Sequence, residues 1–165
     1  MLFPLFVVPA VIGLISSTVY LFLVMEAARR FRRAPQPQPV GPLPAVTVLK
    51  PVHGLEPQLE RNLESFFLQD YPDFELIFGA RGAEDPAVDV VERLRQKYPH
   101  VRSSVVLSGD PEYPNAKVFA LSKMTPRAKS RYLVITDSDV CVKPDCLREV
   151  VLPLLDEANG QSLIV

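Results

Sequence analysis

Residues 132–140 read Tyr-Leu-Val-Ile-Thr-Asp-Ser-Asp-Val, and this stretch decides the fold class. The apolar run Leu133–Ile135 has the length and β-branched character of a buried strand. Two carboxylates, Asp137 and Asp139, follow it, at the edge of the sheet where open α/β folds place their ligands. Their oxygens suit Mg²⁺ or Mn²⁺, with a diphosphate completing the coordination shell. A solvated acidic turn is the alternative, and the rest of the chain has to decide between the two.

The composition is that of a folded domain with a substantial core. The chain has 165 residues, of which 48% are hydrophobic and 22% charged, so a mostly disordered chain is excluded. The net charge of −1 gives no support for nucleic-acid binding. Cys141 and Cys146 are too few for a disulfide framework and lack companion ligands at zinc spacing. We predict two reduced thiols, one near the strand end and one on the next helix.

Residues 1–26 predict a transmembrane anchor. Leu2–Met25 contains no charged residue, and a helix of about 20 apolar residues crosses the hydrocarbon core of a bilayer. A cleaved signal peptide is the alternative, but the segment has no basic start, a long apolar run and no clear cleavage site. The residues that follow include four arginines, Arg29, Arg30, Arg32 and Arg33. Because basic residues mark the cytoplasmic flank of a span, we expect the soluble part on the cytoplasmic side.

Residues 27–44 predict a basic and proline-rich linker. Its arginines suit anionic lipid head groups, and a nucleic-acid patch is less plausible beside a membrane span. The prolines between 35 and 44 favour extended backbone and a semi-rigid spacer. An SH3-type ligand is the alternative interpretation of this segment.

Residues 45–165 predict an alternation of strands and helices. The predicted strands are Ala45–Leu49, Phe74–Phe78, Val101–Leu107, Tyr132–Thr136 and the start of a fifth, Ser162–Val165. The predicted helices are Gln58–Leu68, a segment from Pro86 that stops before Pro99, Asn115–Met124, and a segment that begins at Pro144 and kinks or ends at Pro153. Such an alternation indicates βαβ units and a mainly parallel sheet. Because the chain ends on an apolar strand, we expect a fragment of a longer protein.

Four polar loops would follow these strands at one edge of the sheet. They carry Lys50, Pro51, His53 and Glu56, then residues Arg81–Asp85, then Asn115 and Lys117, and finally Asp137 and Asp139. Carboxylates in such loops can hold a ribose, a base or a metal, and cations can hold phosphate. Singly, Asp85 and Glu56 can be helix caps, and Lys117 and His53 can be solvated surface residues. Their shared location is what favours a nucleotide site.

With these residues in view, the chain resembles the N-terminal part of a family 2-type glycosyltransferase. The similar group is that of the ceramide glucosyltransferases and the hopanoid-biosynthesis glycosyltransferases. The resemblance rests on ordered blocks between residues 45 and 150: Val48–Glu56 (VLKPVHGLE), Asn62–Pro72 (NLESFF and QDYP), Asp85–Ala87 (DPA), Asn115–Val118 (NxKV) and Asp137–Asp139 (DSD). It implies a GT-A fold, a Rossmann-like α/β domain that binds a UDP-sugar and a divalent cation.

The resemblance also implies roles for individual positions. It implies that Asp137 and Asp139 hold Mg²⁺ or Mn²⁺ against the diphosphate. It implies that the donor nucleotide is bound by Lys50, Pro51, Glu56, Asp85, Lys117 and Asp137. The catalytic base is expected beyond residue 165. Two departures stand out, because Arg81-Gly82 replaces an acidic residue usual after the second strand, and Phe119-Ala120 replaces polar residues usual after the lysine.

The expected function is therefore that of a membrane-anchored, inverting glycosyltransferase fragment. It would transfer a sugar from a UDP-sugar to a lipid acceptor such as ceramide or a hopanoid, with no nucleic-acid partner, and be inactive alone. A nucleotidyltransferase-like enzyme is one alternative, but it would carry a glycine-rich signature near the first strand, where only Gly54 stands. A non-catalytic membrane-tethered module or remnant is the other, favoured by Arg81-Gly82 and disfavoured by the retained Asp137 and Asp139.

Overall fold

The computed structural model describes residues 3–33 and 42–155, and the chain divides into two compact units, Met1–Pro37 and Gln38–Val165. The first unit is helix α1, Phe3–Arg33, of 31 residues. Its segment Val7–Arg33 has a mean hydropathy of 2.2 over its most apolar window and is long enough to cross a membrane. The helix continues to Arg33, so the arginines predicted to begin a linker are helical. Residues 34–41 of that predicted linker lie outside the described residues.

Within residues 42–155, the second unit contains a four-stranded sheet with the spatial order β3-β2-β1-β4. The strands are β1 Val46–Pro51, β2 Phe74–Ala80, β3 Arg102–Leu107 and β4 Tyr132–Ile135. All three neighbouring pairs are parallel, and Val48 of β1 lies opposite Leu76 on one side and Val134 on the other. The predicted parallel sheet is confirmed. The predicted fifth strand, Ser162–Val165, lies outside the described residues.

Helices cover both faces of this sheet. They are α2 Leu59–Phe67, α3 Pro86–Lys97, α4 Ala116–Met124 and α5 Cys146–Val151, with 3₁₀ turns at Thr125–Arg127 and Leu152–Leu154. Successive side chains of a strand point to opposite faces, so Val48 packs with α2, α3 and α5, whereas Leu49 packs with α4. The larger core lies on the α2–α3 side, with Leu63, Phe66 and Leu94 almost fully buried.

Local sequence explains where α3 begins and where α5 ends. Asp85 has extended backbone and accepts a hydrogen bond from the Ala87 amide, while Pro86 occupies the first helical turn, as predicted. Helix α5 ends at Val151, and Pro153 lies in the 3₁₀ turn that follows, because proline cannot continue the α-helical hydrogen bonding. The strand and helix boundaries elsewhere lie within a few residues of the predicted ones.

Strand β4 differs from its prediction as a buried strand. Leu133 is 37% exposed and Ile135 52% exposed, whereas Tyr132 and Val134 are partly buried and pack on the larger core. The physical reason is its position, because β4 pairs only with β1 among the described strands and so forms an edge of the sheet. Apolar composition alone does not distinguish an edge strand from a central one.

Candidate functional site

A cavity of about 300 Å³ lies at the carboxyl edge of the sheet. Residues from all four predicted loops line it, among them Pro51, His53, Arg81, Lys117, Asp137 and Ser138. The carboxyl ends of parallel strands meet at one edge, and this edge is where open α/β folds bind ligands. Of the predicted site residues, Pro51, Lys117 and Asp137 line this cavity, whereas the lining does not include Lys50, Glu56, Asp85 or Asp139.

A second cavity, of about 350 Å³, lies at the opposite edge of the sheet, where Phe74 begins β2 and Arg102 begins β3. The Arg102 guanidinium there pairs with Asp73, which also lines this cavity. None of the predicted ligand-binding residues lines it. We therefore place the candidate site at the carboxyl edge.

Asp137 forms an ion pair with Lys117, and both residues line the carboxyl-edge cavity. Lys117 lies in the first turn of α4, whose start is fixed by Asn115, because the Asn115 Oδ1 accepts a hydrogen bond from the Val118 amide at 3.1 Å. Both members of the ion pair are about half exposed, so solvent screens their attraction. A charged ligand can therefore bind to Lys117 or to Asp137 in place of the other residue with only a small loss of stability.

Lys50 is buried, with only 1% of its surface exposed, and it is not among the residues that line the cavity. Its Nζ donates a hydrogen bond of 2.6 Å to the backbone carbonyl of Asp137 and lies 3.8 Å from the centroid of the Phe66 ring. Burial lowers the pKa of Lys50 to about 8, although the negative charges of Asp137 and Asp139 act in the opposite direction. The side chain is thus an ammonium at neutral pH.

Glu56 contacts the loop Asp137–Asp139, called the acidic loop below, through Ser138. The Ser138 hydroxyl donates a hydrogen bond of 2.7 Å to the Glu56 Oε2. Ser138 is 9% exposed, whereas Asp137 and Asp139 on either side of it are exposed. The first and fourth loops are therefore joined by two contacts, one from Lys50 and one from Glu56.

Asp85 is buried, and both of its carboxylate oxygens are engaged within the chain. Oδ1 accepts hydrogen bonds from the amides of Ala87 at 3.0 Å and Gly54 at 2.8 Å, and Oδ2 lies 2.8 Å from the His53 Nδ1. Burial alone would raise the pKa of Asp85, but these hydrogen bonds together lower it below its usual value. Asp85 thus joins the first loop to the start of α3.

Arg81, the departure noted in the sequence, lines the cavity and is paired with Asp110, its Nη2 lying 2.6 Å from the Asp110 Oδ1. Sequence reasoning missed Asp110, Phe66 and Ser138 as parts of this edge. From the sequence alone, Phe66 and Ser138 have no predicted role beyond their places in the blocks NLESFF and DSD. Residues 137–140 form a turn, so strand alternation does not apply to them, and no local pattern predicts that Ser138 is buried.

The residues present fit a hard divalent cation. Within the described ranges, no group of three or more His, Cys, Asp or Glu side chains forms a closed metal cage. Mg²⁺ and Mn²⁺ sites in nucleotide enzymes need only one or two protein carboxylates, because phosphate and water oxygens supply the remaining ligands. Asp137, which lines the cavity, and Asp139, two residues further along the chain, offer that donor set, and both are exposed.

Comparison with solved structures identifies the class of fold. A mannosyltransferase from Pyrobaculum calidifontis, solved with GDP-Man and Mn²⁺, is similar with a TM-score of 0.65 and 27% identity, over 82% of this chain and 40% of that one. Glucosyl-3-phosphoglycerate synthase from Mycobacterium tuberculosis shares the fold with a TM-score of 0.52 and 24% identity, over 68% and 40% of the two chains. The second unit is thus a GT-A-like glycosyltransferase fold, as the sequence resemblance implied.

Sequence comparison identifies the family. The family model of glycosyl transferase family 21 matches residues 8–163, and the chain belongs to this family. Ceramide glucosyltransferase 1 of Caenorhabditis elegans is 31% identical over 145 residues, which are 88% of this chain and 31% of that protein. Ceramide glucosyltransferase of Komagataella phaffii is 36% identical over 160 residues, covering 92% of this chain and 30% of that one. The predicted resemblance is confirmed, and the chain spans about a third of the length of these curated relatives.

Proposed function

We propose that this chain forms the donor-binding part of a glycosyltransferase that transfers a sugar from a UDP-sugar to a membrane lipid with inversion. The observation that carries the proposal is the cavity at the carboxyl edge, where Lys117 and Asp137 face each other and Asp139 follows two residues later. An exposed cation and exposed carboxylates at this edge match a metal–diphosphate ligand better than a neutral one. The family assignment favours this reaction over nucleotidyl transfer.

In this proposal, Asp137 and Asp139 hold Mg²⁺ or Mn²⁺. When bound, the metal supplies Lewis-acid stabilisation of the negative charge that develops on the UDP leaving group. Lys117 contributes a cation from the first turn of α4, where the helix N-terminus also favours a phosphate. Pro51 lines the cavity and shapes its wall. The site is stabilised by contacts of its first loop, in which Lys50 and Glu56 bond to the acidic loop and Asp85 bonds to the Gly54 amide.

A lipid acceptor and a membrane location are supported by α1 and by the relatives. Helix α1 is apolar over more than a membrane thickness and carries Arg30, Arg32 and Arg33 in its last turn. The relatives from Caenorhabditis elegans and Komagataella phaffii are named ceramide glucosyltransferases. We propose that α1 anchors the chain with its arginines on the cytoplasmic side, and that ceramide or a hopanoid is the acceptor.

The test is isothermal titration calorimetry of UDP into the full chain in detergent micelles, with and without Mn²⁺. We expect binding that requires Mn²⁺ and that weakens at least about tenfold in Asp139→Asn, because a neutral amide is a poorer metal ligand. Asp89→Asn is the matched control, since Asp89 is an exposed carboxylate of α3 away from the cavity. A chain with native circular dichroism that binds no UDP in Mn²⁺, or binds it equally after Asp139→Asn, contradicts the proposal.

A further inference from the structure

Lys50 is among the largest side chains that are fully buried in the described residues, and it is charged. It extends from β1 beneath the acidic loop, with its stem in the protein interior and its ammonium beside the Phe66 ring. A buried ammonium is unfavourable unless it has close polar partners, and an apolar side chain of similar volume would fill the space without that penalty. The position of Lys50 therefore calls for an explanation other than packing.

The partner of this ammonium is a backbone carbonyl. Within residues 42–155, no carboxylate oxygen lies within ion-pair distance of the Lys50 Nζ, which donates instead to the Asp137 carbonyl at 2.6 Å. The ammonium of Lys117 forms an ion pair with the Asp137 carboxylate. Asp137 thus contacts two lysines, Lys50 through its backbone carbonyl and Lys117 through its side chain. The buried lysine therefore does not occupy the Asp137 carboxylate, which pairs with the half-exposed Lys117 at the cavity.

The hydrogen bond from Lys50 to the Asp137 carbonyl connects the acidic loop to strand β1. The last backbone hydrogen bond between β4 and β1 runs from the Thr136 amide to the Leu49 carbonyl at 3.2 Å. Beyond it the strands no longer pair, and Lys50, the next residue of β1, continues the connection with its side chain. The same Asp137 carbonyl also accepts from the Val140 amide at 3.5 Å, which closes a turn over residues 137–140. Both aspartates lie in this turn.

We infer that Lys50 is a positioning residue, whose buried ammonium fixes the Asp137 carbonyl and thereby holds the Asp137 and Asp139 carboxylates in place beside the cavity. This inference rests on the proposed function of the cavity as a metal and nucleotide site. It gives Lys50 a role that differs from the direct nucleotide contact predicted from sequence. The ammonium acts through Asp137 and touches neither the metal nor the donor.

The matched pair of variants is Lys50→Met and Lys123→Met. Methionine keeps most of the apolar stem over Phe66 and removes the ammonium. Lys123 is a lysine of α4 whose Nζ also lies over a ring, 4.8 Å from the centroid of Phe119, but it pairs with a side chain outside the acidic loop, the Glu112 carboxylate at 3.8 Å. The comparison therefore isolates the contact with the Asp137 carbonyl from the general loss of a lysine beside an aromatic ring.

Two readouts on the full chain in detergent micelles test the inference. Hydrogen–deuterium exchange reports on amides 137–140, and calorimetry reports on Mn²⁺-dependent UDP binding. We expect Lys50→Met to speed exchange in this turn by about tenfold and to weaken UDP binding by about tenfold, while the melting temperature does not fall. Lys123→Met should leave both readouts at the wild-type values.

Unchanged exchange at residues 137–140 in folded Lys50→Met overturns the inference, and so does wild-type UDP affinity in that variant. If Lys50→Met does not fold, Lys50→Gln, which is also neutral, is judged by the same two criteria. A wild-type chain that binds no UDP overturns the proposed function and the role of Lys50 in donor binding. The exchange readout separates that result from failure of the Lys50 contact, because exchange requires no ligand.

Discussion

Replacing the buried Asp85 by alanine should destabilise the second unit more than replacing the exposed Asp89 of the same helix. Loss of the helix cap, the 3.0 Å bond from the Ala87 amide, costs about 1 kcal/mol. Loss of the 2.8 Å bond from the Gly54 amide to a charged acceptor adds about 1.5 kcal/mol or more. His53 is exposed, so its contact adds less than about 1 kcal/mol. The expected loss for Asp85→Ala is therefore about 3 kcal/mol at pH 7.

The pH dependence of this loss follows from the pKa of Asp85. Its hydrogen bonds lower the pKa in the folded chain, whereas the unfolded chain has the ordinary aspartate pKa of about 4. Between these two values the unfolded chain binds more protons than the folded one, so stability rises with pH. The contribution of Asp85 is thus complete above about pH 4 and is lost as the pH falls through the lowered folded value. The difference between wild type and Asp85→Ala should shrink over that acidic range.

The assay is urea unfolding of the full chain in micelles, followed by circular dichroism at pH 7 and at several values below pH 4. Asp89→Ala is the control, because Asp89 is an exposed carboxylate in the first turn of the same helix, where charge–dipole attraction is worth less than about 1 kcal/mol. An Asp85→Ala loss no larger than that of the control would refute the reasoning. So would a loss that stays constant as the pH falls.

Three further predictions concern the core, a close approach and the membrane orientation. Leu63→Ala should cost about 3 kcal/mol because Leu63 is fully buried, whereas Leu68→Ala, at an exposed position just after the same helix, should cost less than about 1 kcal/mol in urea unfolding. Gly79→Ala should cost about 1–3 kcal/mol because its Cβ would overlap the buried Met124 sulfur, and the double variant with Met124→Ala should lose less than the sum of the two single variants. In the variant Cys146→Ser, the exposed Cys141 should react with an impermeant maleimide in vesicles whose cytoplasmic face is outward. In sealed vesicles of the opposite orientation, Cys141 should react only after permeabilisation. Equal labelling in both preparations would contradict the proposed orientation.

The secondary structure could be predicted because each element carries a local signal. Helix α3 begins where Asp85-Pro86 supplies a cap and a first-turn proline, and its buried positions follow the helical period. The position of β4 in the sheet could not be predicted in the same way. Whether Leu133 and Ile135 are buried depends on which strands lie beside them, and no property of residues 132–135 encodes that neighbour.

The site could be predicted only as a location. Parallel topology brings the ends of the strands together, so Pro51, Lys117 and Asp137 meet at one cavity as the loops predicted. The partners of Lys50 and Glu56 could not be predicted, since their contacts with Asp137 and Ser138 join residues 87 and 82 positions apart. The buried Glu75 of β2, which accepts a hydrogen bond from Thr47 at 2.7 Å, was missed for the same reason, because its partner is 28 positions away.

The acidic loop is held to the rest of the unit by a backbone carbonyl and a serine hydroxyl, and not by its two carboxylates. The contacts that stabilise the loop are therefore distinct from the exposed aspartates that would bind a ligand. The fastening contacts fall on the Asp137 carbonyl and the Ser138 hydroxyl, which are held by Lys50 and Glu56. The ion pair that Lys117 forms with the Asp137 carboxylate is half exposed and therefore contributes little to folding. A metal ion or a diphosphate can replace either partner of that pair without loosening the loop. The serine between the aspartates provides the buried contact of this turn, since Ser138 is 9% exposed and bonded to Glu56 while the two aspartates are exposed.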